Sequence, residues 1–310
     1  MSILINQDTK VLIQGITGKE GQRATQAMLD YGTKLVGGVR PGKAGEQVFG
    51  VPVFDTVAEV LSVIASLPVR QAGEAKQSRH NITSAIYVPP FATKQAIMEA
   101  IENDISVINI MTERVPIQDT AYCLAAAKEK DIRIIGPSSL GYISAGKARV
   151  GVVGGPLVEE IFQPGSVGAI SRSGGMTNEL AWQIRKAGLG QSTVVHVGGD
   201  LLMGTTYADL LKMFEKDEQT KVVVIFGEHG GSYEFEIVDL INKQEFTKPL
   251  AIYIGGKFAG VLPEGMNVGH AGAIVERGKG AAEKEKALSE VGVMIADTYE
   301  HLVELAKPYS

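Results

Sequence analysis

The 310-residue sequence has one cysteine, one tryptophan and only 6% aromatic residues. The single cysteine, Cys123, excludes an internal disulfide framework and a cysteine-based metal site, and it predicts a reducing compartment. No segment approaches the ~20 consecutive apolar residues that a membrane helix needs. The N-terminal residues lack the basic and apolar regions of a signal peptide. These absences predict a cytoplasmic protein, or one in the mitochondrial matrix if a transit peptide has been removed.

The sequence also has little excess of either charge, since 30 Lys and Arg nearly balance 35 Asp and Glu and give a net charge of −5. Without a basic block, neither a nucleic acid nor a membrane surface is expected as a partner. Glycine, in contrast, is abundant: 37 glycines cluster at the ends of apolar runs, as in ligand loops lined by backbone.

Short β-rich runs alternate with amphipathic helical patterns along the whole chain, which predicts an α/β protein with parallel sheets covered on both faces. The length and a glycine-rich stretch near 141–155 suggest two domains, at 1–146 and 147–310. The polar segment 67–81 is expected to be a solvated loop or a short helical excursion. The predicted strands are 11–14, 35–39, 84–88, 106–111, 133–135, 167–171, 193–197, 222–226, 250–254 and 293–295. The predicted helices are 21–31, 93–103, 118–130, 176–187, 207–214 and 234–242.

A glycine-rich turn at 15–21 joins the first strand to the first helix. Such a turn lets the backbone approach a phosphate at a helix N-terminus, although taken alone it is also typical of a plain turn. A dinucleotide site would place an acidic residue about 20 residues further on. Arg40 and Lys43 lie there instead, which suits the extra phosphate of coenzyme A, and that of NADP less well. Solvated loop charges are the alternative.

One of five histidines stands out, because small residues flank it in the stretch Gly-His270-Ala-Gly. No histidine pair has metal-binding helical spacing, so no metal site is expected. His196 lies in a predicted strand and is expected to be structural. The turn SRSGG at 171–175 is a second anion cradle, and Glu228 ends a strand among glycines. A nucleophile, an anion cradle and an orienting carboxylate predict a phosphohistidine rather than a serine hydrolase.

The chain resembles the α subunits of the succinyl-CoA synthetases (succinate–CoA ligases) over essentially its whole length. The segments that carry the resemblance are QGITGKEG, YGTKLVGGVRPGK, GVPVFDTV, YVPPF, MTERVP, IGPSS, SRSGG, VGGD, FGEHGG, TKPLAIYIGG and GHAGAI.

This resemblance implies a Rossmann-like coenzyme A-binding domain followed by a flavodoxin-like ligase domain. It also implies a β subunit with an ATP-grasp domain, in a heterodimer or heterotetramer, that binds ATP or GTP with Mg²⁺. His270 would be phosphorylated and Glu228 would hold it. The expected coenzyme A contacts are Thr17, Gly18, Lys19, Glu20, Lys43, Met111, Thr112 and Glu113. The expected contacts to the phosphoryl group or the acid substrate are Ser171, Ser173, Gly174, Gly175 and Asn178.

The chain departs from the family pattern at several places. It reads GPSSLG at 136–141 and SRSGGMTNE at 171–179, so that Asn178 replaces a tyrosine. Residues 256–267 lack the usual basic cluster, and 67–81 is an insertion. The SRSGGM-N-E form is more similar to citryl-CoA synthetase and to ATP-citrate lyase. Succinate is the first expectation, citrate or malate is the alternative, and a non-catalytic coenzyme A sensor is an alternative of another class.

Overall fold

The computed structural model describes residues 2–66, 81–267, 269–270, 273–274, 276 and 278–310. The predicted polar loop therefore lies outside the described residues, except for its last residue, Asn81. Two seven-stranded sheets follow one another along the chain. The predicted α/β class with mainly parallel sheets is confirmed.

The first sheet has the strand order β3-β4-β2-β1-β5-β6-β7, with only β3 antiparallel to its neighbour. Its strands are β1 (Lys10–Gln14), β2 (Lys34–Val39), β3 (Gln47–Val48), β4 (Val51–Phe54), β5 (Ile82–Ile86), β6 (Val107–Ile110) and β7 (Arg133–Ile135). Its helices are α1 (Lys19–Asp30), α2 (Val57–Ser66), α3 (Pro90–Glu102) and α4 (Ile117–Glu129). Without β3, this is the doubly wound order of the Rossmann fold. Ligands in such sheets bind where the order reverses, here at the carboxyl ends of β1 and β5.

The second sheet has the order β14-β13-β12-β10-β11-β8-β9. Its strands are β8 (Gly141–Ser144), β9 (Ala148–Gly151), β10 (Pro164–Ser171), β11 (Gln191–His196), β12 (Val222–Glu228), β13 (Leu250–Gly255) and β14 (Met294–Ile295). Its helices are α5 (Val158–Ile161), α6 (Gly174–Lys186), α7 (Tyr207–Lys216), α8 (Tyr233–Asn242), α9 (Ala281–Glu290) and α10 (Tyr299–Ala306). The five strands from β10 to β14 are parallel, in a flavodoxin-like order whose reversal lies between β10 and β12.

The change from one sheet to the other comes earlier than the boundary expected at 146/147. The antiparallel hairpin of β8 and β9 spans that position and pairs with β11 in the second sheet. The change of sheet therefore falls between Ile135 and Gly141. Glycines with positive φ occur at 141, 146 and 151 in this hairpin. In the sequence these glycines are typical of a linker. In the structure they lie at bends of the two strands and in the turn between them.

The strands are continuous apolar runs because both faces of each sheet are covered. The residues of β10 from Val167 onward, and those of β12, are buried throughout. Helices α6, α7 and α10 begin with a side-chain cap, which in α7 is the capping box of Thr206 and Asp209. Every predicted strand and helix is present, with shifts of a few residues at the ends. The predicted ranges do not cover the elements β3, β4, α2, β8, β9, α5, α9 and α10.

Arg149 on β9 ties the two halves of the chain together, although its side chain is almost fully buried. Its guanidinium donates to the carbonyl oxygens of Val153 and Gly155 at 3.1 and 3.2 Å, and to that of Ala27 on α1. The Thr33 hydroxyl bonds to both backbone groups of Arg149. Burial lowers the pKa of Arg149. None of the described helices is both long enough and apolar enough to cross a membrane.

Candidate functional site

The first glycine turn follows β1 at the point where the strand order of the first sheet reverses. Gly15 has φ +85°, and a Cβ there would lie 2.8 Å from the Tyr87 carbonyl oxygen after β5. A Cβ on Gly21 would lie 2.2 Å from the Gly15 carbonyl oxygen. Helix α1 begins directly after Gly18 without a side-chain cap. The uncapped N-terminus of α1 therefore presents the backbone of Thr17, Gly18, Lys19 and Glu20, and this arrangement suits a phosphate.

Lys43 lies in the loop that leaves β2 at the same edge of the sheet. The loop wraps around Asp55, whose Oδ1 accepts the backbone N–H groups of Gly42, Lys43 and Ala44 at 2.7–3.2 Å. Lys43 Nζ lies 2.6 Å from Glu46 Oε1 with both side chains half exposed. Asp55 thus bonds to the backbone of the Lys43 loop, and Glu46 pairs with the Lys43 side chain. The sequence around Arg40 did not indicate either carboxylate. A competing phosphate would displace only an exposed ion pair, which is weak.

Met111, Thr112 and Glu113 follow β6 and complete this edge. The Thr112 hydroxyl donates to the Val88 carbonyl at 2.7 Å, and its carbonyl accepts the Ser138 N–H at 3.0 Å. The structure therefore brings all the predicted coenzyme A residues to the carboxyl ends of β1, β2 and β6. Their contact with coenzyme A stays a prediction.

The turn between β10 and α6 is the second predicted cradle. Ser171 Oγ donates to the Ser173 carbonyl and accepts the Ser173 N–H. Ser173 Oγ caps α6 by accepting the Met176 N–H at 3.5 Å. Both hydroxyls therefore shape the turn rather than reaching outward. A Cβ on Gly175 would meet no atom within 4 Å, so this glycine leaves the N-terminus of α6 open to a ligand.

Asn178 lies in the second turn of α6 and bonds to the loop that Arg149 holds. Its Oδ1 accepts the Gly154 N–H at 2.8 Å. The amide nitrogen is then the donor that the side chain can offer to a substrate oxygen.

His270 meets Glu228 at the carboxyl end of β12, as the sequence predicted. His270 Nδ1 lies 2.7 Å from Glu228 Oε2, and the imidazole is more exposed (38%) than the carboxylate (10%). A carboxylate at this distance favours the proton on Nδ1, which leaves the Nε2 lone pair as the nucleophile. Of the flanking glycines, Gly272 lies outside the described residues.

Arg172 completes the site and was not predicted. Its Nε lies 3.2 Å from Glu228 Oε1, and its Nη2 donates to the Asp200 carbonyl at 2.9 Å. Arg172 is buried, so its charge acts on Glu228 with little screening. Its position within SRSGG, the predicted anion cradle, was the available signal.

The pKa values of the pair follow from these contacts. The hydrogen bond to Glu228 raises the pKa of His270 above 6.5, against the opposing effect of burial. Burial would raise the pKa of Glu228, but the bond to His270 and the charge of Arg172 outweigh it and lower the pKa. The pair is therefore ionised over a wider pH range than isolated side chains would be.

His196 is structural, as expected. Its Nδ1 accepts the Leu140 N–H at 2.7 Å and its Nε2 lies 2.9 Å from the Arg172 carbonyl oxygen. Burial lowers the pKa of His196 to about 4, so the imidazole is neutral and joins the 140 loop to the cradle.

The carboxyl edges of the first and second sheets face a common space beside His270. A Cβ on Gly199 would lie 3.1 Å from His270 Cδ2 and 3.6 Å from the Ser138 hydroxyl. The Ser138 N–H in turn bonds to Thr112, in the predicted coenzyme A loop. The charge of Glu113 also raises the pKa of His270. Glycine at 199 therefore leaves room for the imidazole, since a Cβ there would make a tight contact with it. Sequence reasoning did not single out this glycine.

No group of three or more His, Cys, Asp or Glu side chains among the described residues is arranged to hold a metal ion. The described part of the site offers helix N-termini and backbone amides, which suit phosphate groups.

Comparison with protein families gives two matches, one in each half of the chain. Residues 6–114 match the CoA binding domain, and residues 170–299 match the CoA-ligase domain.

Two relatives of nearly the same length are both described as succinate–CoA ligase alpha subunits. The chain is 43% identical over 307 residues to the succinate–CoA ligase [ADP-forming] subunit alpha 2 of Archaeoglobus fulgidus, covering 98% of both proteins. It is 41% identical over 313 residues to the corresponding alpha subunit of Staphylococcus aureus, covering 99% of this chain and 96% of that one.

Solved structures support the fold. The ATP citrate lyase of Methanothrix soehngenii, in complex with citrate and coenzyme A, matches 99% of this chain with a TM-score of 0.87 at 24% identity. This chain spans half the length of that protein. An acetyl-coenzyme A synthetase of Ca. Korarchaeum cryptofilum matches 96% of this chain and 59% of its own, with a TM-score of 0.72 at 19% identity.

Proposed function

Because the chain belongs to the family of succinate–CoA ligase α subunits, we propose that it carries the phosphohistidine of an ADP- or GDP-forming ligase that joins succinate to coenzyme A. In this reaction His270 Nε2 attacks the terminal phosphorus of a nucleoside triphosphate and the diphosphate leaves. The phosphoryl group then passes to a carboxylate oxygen of the acid. The thiol sulfur attacks the acyl carbon of the resulting acyl phosphate, inorganic phosphate leaves, and the thiol proton is released.

The pairing of His270 with Glu228 is the observation that carries this proposal. Glu228 holds the proton on Nδ1, so the exposed Nε2 is the nucleophile. Gly174 and Gly175 begin α6 beside this pair, where the helix N-terminus would stabilise the negative phosphoryl group. Ser171 and Ser173 act by holding the turn. In this proposal the histidine carries the phosphoryl group from one substrate, the nucleoside triphosphate, to another, the acid.

Coenzyme A is proposed to bind along the edge of the first sheet. The uncapped N-terminus after Gly18 would receive the diphosphate, with Thr17, Lys19 and Glu20 around it. Lys43 would meet the 3′-phosphate. The loop of Met111, Thr112 and Glu113 extends from this edge toward His270, and would therefore guide the thiol end into the ligase site.

The choice of acid depends on Asn178 in this proposal. Succinate is preferred because the full-length relatives are described as succinate–CoA ligases. The second candidate is a citryl-CoA synthetase small subunit, or a ligase for malate. It is favoured by the bond from Gly154 to Asn178, which orients the amide nitrogen as a donor for an additional substrate oxygen. A non-catalytic coenzyme A sensor remains as the alternative of another class.

The nucleotide is proposed to bind mainly to a partner. We expect a β subunit with an ATP-grasp domain that binds ATP or GTP with Mg²⁺, in a heterodimer or heterotetramer. The bound metal would neutralise phosphate charge during transfer. We place the complex in the cytoplasm, in keeping with the single cysteine, which is free and buried.

The test is steady-state turnover of the chain purified with its partner subunit. Release of nucleoside diphosphate is measured with succinate, citrate and malate, each with and without coenzyme A. The proposal predicts turnover that requires coenzyme A and is fastest with succinate. The His270→Asn complex should be inactive, while its circular dichroism spectrum should remain that of the folded wild type. Fastest turnover with citrate would establish the second candidate, whereas coenzyme A binding without any turnover would establish the sensor.

A further inference from the structure

A buried lysine lies directly beneath Glu228. Lys284 on α9 has no exposed surface. Its Nζ donates to the carbonyl oxygens of Glu228 and Gly230 at 2.9 and 2.6 Å. These two carbonyls belong to the last residue of β12 and to the loop that follows it, so the lysine holds the backbone on both sides of residue 229.

Lys284 is paired with a buried carboxylate that holds the same loop from another side. Glu234 Oε2 on α8 lies 2.5 Å from Lys284 Nζ, and Oε1 accepts the Glu228 N–H at 3.3 Å. A Cβ on Gly227 would lie 3.0 Å from Glu234 Oε1, so glycine at this position permits the close approach. Both backbone groups of Glu228 are therefore bonded to the pair.

Stability alone does not explain this arrangement. Removing two charges from water is expensive, and well-packed apolar residues often stabilise a core as much as a buried ion pair does. What apolar side chains cannot do is bond to the N–H and C=O groups of Glu228. The pair supplies these bonds from two helices, and the Glu228 carboxylate then extends from a fixed backbone toward His270.

We propose that Lys284 and Glu234 are positioning residues, which fix the backbone of Glu228 so that its carboxylate holds His270 in the orientation that accepts a phosphoryl group. This inference rests on the function proposed above. The charge of Lys284 acts in the same direction, because it helps to lower the pKa of Glu228.

The variants separate positioning from folding. Lys284→Met leaves Glu234 as an unpaired buried charge, so it is expected to lower the melting temperature. Lys284→Met with Glu234→Met removes both charges and should recover much of that loss. Lys248→Met is the matched control. Lys248 also donates to three backbone carbonyls, those of Phe214, Asp217 and Thr220 at 2.6–2.8 Å, but at the opposite end of the same sheet.

Two measurements are made on the complex with the partner subunit. The first is the pKa of His270, from NMR of ¹³C-labelled histidine assigned with the His270→Asn variant. The second is the rate at which His270 is phosphorylated after nucleoside triphosphate and Mg²⁺ are added. The first measurement does not require that the complex be a ligase.

The double variant is expected to fold, to show a His270 pKa shifted down toward 6.5, and to be phosphorylated about 10- to 100-fold more slowly, as for other lost orienting contacts. The Lys248→Met complex should keep the wild-type pKa and rate. A folded double variant with the wild-type pKa and rate would overturn the inference. If the wild-type complex is not phosphorylated at all, the proposed function fails, and the pKa measurement still decides whether Lys284 and Glu234 position Glu228.

Discussion

At His270, the position of one proton decides the chemistry. The contact with Glu228 keeps the proton on Nδ1, and Arg172 holds the other carboxylate oxygen. Glu228 therefore has the imidazole N–H at one carboxylate oxygen and the charge of Arg172 at the other. The arrangement resembles the orienting carboxylate of a catalytic triad, in which a buried acid selects the tautomer of the histidine.

Replacing Glu228 with Gln should change both the rate and its pH dependence. In the wild type, phosphorylation requires neutral His270, so the rate should rise with pH with a midpoint above 6.5. In Glu228→Gln the midpoint should move down toward 6.5, and the maximal rate should fall about 10²-fold or more, as for other lost orienting groups. The measurement is the rate of phosphohistidine formation across pH. An unchanged midpoint would show that Glu228 does not set the His270 pKa.

The same pair makes stability depend on pH. Glu228 has a lowered pKa, so its contribution is present above about pH 4.5 and is lost as the pH falls through the lowered value. His270 has a raised pKa, so its contribution is present below pH 6.5 and is lost as the pH rises through the raised value. The melting temperature of Glu228→Gln should therefore fall furthest below that of the wild type between these limits.

Among the elements, the loop after β2 offers the clearest test of coenzyme A recognition. Lys43 is half exposed and pairs only with Glu46 among the described residues. Its loss should leave stability nearly unchanged, because exposed ion pairs contribute little.

Lys43→Ala should weaken binding of coenzyme A by about 10- to 100-fold, since a charged hydrogen bond contributes about 1.5–3 kcal/mol. Dephospho-coenzyme A lacks the 3′-phosphate and should bind the variant and the wild type equally well. Titration calorimetry with both ligands measures this. Equal losses of affinity for both ligands would show that Lys43 contacts a part of coenzyme A other than the 3′-phosphate.

The elements also show which features the sequence reveals. Continuous apolar strands and glycine turns predicted both sheets, because buried parallel strands have this pattern. The β8–β9 hairpin was missed, since its positive-φ glycines are also typical of a linker. Glu228 and His270 stood out among glycines at strand ends. Lys284 did not, because a lysine in a charged helix looks solvated until the neighbouring helices are known.

At the scale of the whole molecule, Arg149 joins α1 of the first domain to the loop of the second domain that contacts Asn178. Its guanidinium is the donor for three backbone carbonyls. No local sequence pattern predicts that such a residue joins the two halves, since its partner on α1, Ala27, lies 122 residues away in the chain.

Arg149→Met should lower the free energy of unfolding by about 2–4 kcal/mol, because buried carbonyls lose their donors. Arg185→Met, at an exposed position on α6, should change it by at most ~0.5 kcal/mol. Urea denaturation of both variants measures the difference. Similar effects in the two would show that Arg149 does not join the halves.

The most direct measurement is the intact mass of the chain, purified with its partner subunit, before and after addition of ATP and Mg²⁺. We predict one added phosphoryl group that acid removes, that maps to His270, and that succinate with coenzyme A discharges. The His270→Asn complex should gain no mass. A complex that binds coenzyme A and ATP, yet gains no phosphoryl group on His270, would contradict the phosphohistidine mechanism.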